Sequence, residues 1–111
     1  MTIFVVETYV VKPENQAKIA PVFQKFIKLT EERKAKFKMV KSFKLYSQWI
    51  GAVGGYMDIW ELKSLADFDV WCKSIEADDA LMKAYLEWYS LIVPDSYHLH
   101  IWNNVMGHTF R

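Results

Sequence analysis

At 111 residues the chain has room for one domain, spanning 1–111, and one modest core. Apolar residues make up 52%, with five Trp, six Tyr and seven Phe, more bulky side chain than a monomer of this size readily buries; association or a lined cavity is the expected outlet. A formal net charge of +1 excludes charge-driven binding to nucleic acid or an anionic membrane.

From Thr2 to Val11 the residues are β-branched and aromatic without a breaker, which predicts a strand apolar on both faces. Lys12-Pro13-Glu14-Asn15 stops it. The stripe Ile19, Val22, Phe23, Phe26 then predicts an amphipathic helix from Glu14 to Lys36, which Pro21 kinks or delays because it has no N–H. A second strand follows from Val40 to Ile50, with Phe43, Leu45 and Trp49 on one face, and Gly51–Gly55 makes a hairpin turn.

The third strand, Tyr56 to Leu62, meets Ser64, after which Leu65, Phe68, Trp71, Cys72 and Ile75 recur at helical spacing. Ser64 and Asp67 resemble a capping box. The helix is interrupted at Glu76–Asp79, where Asp78 or Asp79 can cap a further segment carrying Leu81, Met82, Tyr85, Leu86, Tyr89 and Ile92. After Pro94, a last strand from Tyr97 to Val105 sets His98, His100 and Trp102 on one face against Tyr97, Leu99 and Ile101 on the other.

The order β-α-β-β-α-β predicts an α+β, ferredoxin-like fold: a four-stranded antiparallel sheet with two helices on one face. The other sheet face is too apolar to be left in water, so we expect a homodimer whose two sheets close into a dimeric α/β barrel. Cys72 is the one cysteine and lies on an apolar helix face, where it reads as a small buried hydrophobe. With no disulfide framework, no basic leader and no apolar run of about 18 residues, a cytoplasmic protein that does not enter the membrane is expected.

Three segments carry a family resemblance: Val10-Val-Lys-Pro-Glu14, Ile59-Trp-Glu-Leu-Lys-Ser-Leu-Ala-Asp-Phe68 and Leu81-Met-Lys-Ala-Tyr85. With them the chain resembles the dimeric α/β-barrel superfamily, in its antibiotic-biosynthesis-monooxygenase-like group. That resemblance implies a ligand between sheet and helices. The group includes cofactor-free oxygenases of quinols and anthrones, haem-degrading enzymes and proteins of no known activity. The haem pattern has an Asn on the first strand, a Trp in the second helix and a His later in that helix. Trp71 matches the Trp, but Val6, Glu7 and Thr8 offer no Asn, and Tyr85 stands about where the His would be.

Glu7 falls on a strand that is central in the expected order 4-1-3-2, so its carboxylate is either paired there or acts as a general base. Asp58, on the neighbouring antiparallel strand, can approach it if register allows, and two adjacent carboxylates would split their pKa values. His98 and His100 share one side of the last strand and are the other candidate bases; with Glu7 they could begin a metal site, against which stands the reading of two packed imidazoles. Trp71, Tyr85, Tyr89 and Trp60, with Trp49, Trp88 and Trp102, are either cavity wall or plain core.

The expected function is therefore binding of a small apolar or aromatic molecule, with cofactor-free monooxygenase chemistry at Glu7, His98 or His100. A non-catalytic binding or assembly module is the alternative, and haem binding or degradation the lesser one.

Overall fold

The computed structural model describes residues 1–111. Four strands form one antiparallel sheet: β1 (Ile3–Val10), β2 (Val40–Ser47), β3 (Gly55–Leu62) and β4 (His98–Asn103), in the order β2-β3-β1-β4. This is the expected ferredoxin-like order, with β1 and β3 at the centre. Three α-helices cover one face: α1 (Ile19–Glu32), α2 (Ala66–Glu76) and α3 (Asp79–Leu91). No helix is long and apolar enough to cross a membrane.

The helix boundaries follow from backbone chemistry. Pro21 lacks the N–H that would bond back to Ala17, and residues Pro13–Lys18 wind instead as a 3-10 turn, so α1 starts five residues later than the periodicity predicts. Ser64 does not cap α2; its hydroxyl donates to Asp67 Oδ2 at 2.8 Å and the helix begins at Ala66. Asp78 does cap α3, accepting from the Leu81 N–H at 3.1 Å, and this break splits the expected second helix in two. The hairpin strand ends at Ser47, which leaves Trp49 96% exposed outside every packed layer rather than on a buried face. In that hairpin Gly54 has φ +78°, and a Cβ there would lie 2.8 Å from the Val11 carbonyl oxygen that its loop packs against.

Residues Ile3, Val5, Glu7 and Tyr9 of β1, and Tyr56, Asp58, Trp60 and Leu62 of β3, face the helices. Between the layers lies an aromatic cluster. Trp88 on α3 meets Tyr9 edge-on at 5.1 Å and Tyr97 at 5.6 Å, while Trp60 contacts Phe26 of α1, Phe43 of β2 and Trp71 of α2. The opposite face carries Phe4, Val6, Val10, Met57 and Ile59, flanked by Tyr46, His98, His100 and Trp102, with no element over it.

Asp78 serves twice, as cap of α3 and as partner of Arg33 at the end of α1. Its carboxyl is held below the usual range, first by the Leu81 N–H. Asp78→Ala should therefore lower unfolding free energy by about 1–2 kcal/mol, read from urea denaturation, whereas Asp79→Ala, which leaves both contacts intact, should change it by less than about 0.5 kcal/mol.

Candidate functional site

Glu7 and Asp58 are direct partners across the antiparallel β1–β3 ladder, so both carboxyls rise from the same, helix-covered side. Asp58 is wholly buried, and the Tyr9 hydroxyl donates to its Oδ2 at 2.8 Å. Its Oδ1 has no hydrogen-bond partner. Burial first, then the charge of Glu7, pushes the Asp58 carboxyl well above the usual carboxylate range, so it is held as the neutral acid.

Glu7 is half-buried, and the Tyr97 hydroxyl donates to its Oε2 at 2.5 Å. Burial raises the pKa of both phenols, Tyr97 with help from Glu7 and Tyr9 with help from Asp58, so each keeps its proton as a donor. Two hydrogen-bonded pairs, Tyr9–Asp58 and Tyr97–Glu7, thus stand side by side. Glu7 and Tyr97 line the cavity.

That cavity has a volume of about 280 Å³ and lies between the sheet and all three helices. Phe23 and Phe26 close it from α1, Trp71 and Cys72 from α2, Tyr85 and Trp88 from α3, and Trp60 from β3. Twelve of its 14 lining residues are hydrophobic, and the two exceptions are Glu7 and Glu76. The indole N–H groups of Trp71 and Trp88 are buried without hydrogen-bond partners. Cys72 also lines it; burial, then Glu76 and Asp69, raises its thiol above the ordinary value, opposite to what a nucleophile needs.

The structure thus gathers Glu7, Trp60, Trp71 and Tyr85 around one space and places Asp58 just behind Glu7. Three expected site residues lie elsewhere. His98 and His100 pair with Thr8 and Val6, on the uncovered face, while Glu7 pairs with Leu99 and faces the helices. Separated by the sheet, the histidines and Glu7 share neither substrate nor metal, and no three His, Cys, Asp or Glu side chains converge as a metal site. Tyr89 packs against Trp88 at 6.4 Å but does not line the cavity. Because α2 and α3 are separate, Trp71 and Tyr85 reach it from two helices, not from one face of one helix. Tyr97, Tyr9 and Glu76 were not singled out by sequence; alternation along β4 already places Tyr97 opposite in facing to the histidines.

Several solved structures share this arrangement over nearly their whole length. SnoaB, a cofactor-independent oxygenase from Streptomyces nogalater, superposes with a TM-score of 0.71 at 10% identity, over 96% of this chain and 95% of that one. An antibiotic biosynthesis monooxygenase does so with a TM-score of 0.68 at 14% identity, over 94% and 99%. The fold is that of the antibiotic-biosynthesis-monooxygenase-like group. A NIPSNAP family protein from Agrobacterium tumefaciens str. C58 has it too, with a TM-score of 0.74 at 13% identity over 100% of both chains. No protein-family model and no curated protein matches the chain. Identities this low carry the fold alone.

Of the positions that the haem pattern names, Trp71 and Tyr85 line the cavity, and burial, then Glu7, raises the Tyr85 phenol above its ordinary value.

Asp58 keeps its proton in the folded protein to higher pH than in the unfolded chain. Its contribution to stability is therefore complete below the unfolded value near pH ~3.9 and is lost as pH rises toward the raised folded value. Asp58→Asn, whose amide can accept from Tyr9 and donate toward Glu7, should remove that loss. Compared by urea midpoints from about pH 4 to neutral, the wild type should lose stability relative to the variant as pH rises; parallel curves would refute a neutral Asp58.

Proposed function

We propose that the chain is a homodimer whose cavity binds a small, flat aromatic or apolar molecule, and that Glu7 removes a proton from it to begin a cofactor-free monooxygenation. The observation that supports this most is the Glu7 carboxylate, backed by a neutral Asp58, in a cavity whose lining is apolar but for Glu76. A base so placed has few competing water molecules, and dioxygen partitions readily into apolar surroundings.

The stoichiometry closes without a reductant. A ring CH2 conjugated with a carbonyl across the ring gives its proton to Glu7 and becomes a carbanion stabilised by that carbonyl. The carbanion supplies the electrons to dioxygen; one oxygen atom ends as a new C=O on the ring and the other leaves as water with the two hydrogens of the original CH2. Tyr97 holds Glu7 in position, and the proton on Asp58 keeps a second negative charge from forming beside it.

Anthrone has the required CH2 and serves as probe. Wild-type protein should consume one dioxygen per anthrone oxidised, and Glu7→Gln should reduce kcat about 10²–10⁴-fold with little change in KM. Binding of anthrone without turnover above the uncatalysed rate would favour the non-catalytic module, in which the Tyr97–Glu7 bond is only structural.

The dimer is assigned to the uncovered sheet face, where Val6 and Ile59 are cross-strand partners at its centre. Sedimentation at micromolar concentration should give twice the 13.1 kDa chain mass. Val6→Glu with Ile59→Glu should halve it, because an interface cannot bury four unpaired carboxylates.

A further inference from the structure

A second cavity, of about 560 Å³, opens at the far side of Trp60, between the end of α1 and the edge strand β2. Its floor is apolar, made by Ile27, Phe37, Phe43 and Trp60, and its rim carries Lys34, Lys38, Lys41 and Lys63 against a single carboxylate, Glu31. We propose that this cavity is a binding site for a small amphipathic anion, a carboxylate carried on an apolar body, separate from the cavity at Glu7.

Three observations bear on it. Lys41 already has partners, Glu61 at 3.5 Å and the Thr2 hydroxyl at 3.2 Å, but Lys34, Lys38 and Lys63 are in no ion pair. Lysines that guard a sheet edge lie on the edge strand, as Lys41 and Lys44 do; Lys34 and Lys38 come from the loop after α1 and Lys63 follows β3, so edge protection does not account for them. Moreover, a chain with net charge of only +1 concentrates three free ammonium groups around one concavity, which focuses a positive field there. The α1 carbonyls that would repel an anion are partly engaged: the Arg33 backbone N–H and guanidinium both donate to Leu29 O.

The apolar floor and the cationic rim ask for different parts of one molecule. A purely polar anion leaves Phe37 and Phe43 unmatched, and an uncharged hydrocarbon leaves the ammonium groups without a partner. A short fatty acid anion satisfies both, with its tail on the aromatic floor and its carboxylate among Lys34, Lys38 and Lys63.

Decanoate is the probe, and decanol its uncharged counterpart. Calorimetry should show decanoate binding at least about tenfold more tightly than decanol, weakened by salt. The three exposed substitutions Lys34→Glu, Lys38→Glu and Lys63→Glu, made together, should reduce decanoate affinity by about tenfold or more, while Lys25→Glu with Lys28→Glu, on α1 and outside the rim, should leave it unchanged. Indole N–H resonances place the ligand: Trp60 lines both cavities, whereas Trp71 and Trp88 line only the one at Glu7. A shift confined to Trp60 supports the site. Shifts of Trp71 and Trp88, undiminished binding by the charge-reversed variant, or no binding at millimolar decanoate would each overturn it.

Discussion

Two carboxyls opposed across the central strand pair are the constraint around which the helix-side layer is arranged. β1 and β3 are the inner strands, so Glu7 and Asp58 meet where water is scarcest, and two ionised carboxylates at that place would repel each other with little screening. The structure resolves this by making the two unequal. Asp58 is wholly enclosed and held by Tyr9, and it stays neutral; Glu7 is left half-buried at the cavity with Tyr97 as donor. The same inequality that makes the pair tolerable also separates their chemical roles, an acid behind and an acceptor in front.

Packing explains why a space exists in front of Glu7 at all. Trp60 and Trp71 meet at a tilt on one side of the cavity, and Trp88 meets Tyr9 edge-on and Tyr85 at a tilt on the other; large, rigid rings at such angles interdigitate less completely than small side chains do. The break at Ala77–Asp78 matters for the same reason. One continuous helix would have laid a single stripe along the sheet; two helices bring Trp71 and Tyr85 toward the cavity from different directions, and the Asp78–Arg33 contact fixes the joint against α1.

How much of this was legible in the sequence depends on the kind of information each feature needs. Helix faces and a cap at Asp78 or Asp79 follow from local period and composition, strand order follows from the fold that the element order implies, and Trp60, Trp71 and Tyr85 read as wall or core because they fall on apolar faces. Pairing across strands was not legible. Alternation along β4 separates Tyr97 and Leu99 from His98 and His100, but which set shares a side with Glu7 depends on register, and a shift of one residue exchanges the two. For that reason the histidines were grouped with Glu7 when Tyr97 is its partner. Trp49 misled for a simpler reason: strand alternation was carried past Ser47, where the ladder has already ended.

The two faces of the sheet answer different parts of the excess of bulky side chains. The cavity at Glu7 lies on the helix side of the sheet and takes up Trp60, Trp71, Trp88, Phe23 and Phe26. The apolar residues that this cavity does not use, Phe4, Val6, Met57, Ile59 and Trp102, stand on the other face, where burial of each large side chain would contribute about 1.5–3 kcal/mol. Association across that face would therefore stabilise the central strands that carry Glu7 and Asp58 without reaching the cavity. His98 and His100 stand on that same face, across the sheet from the cavity.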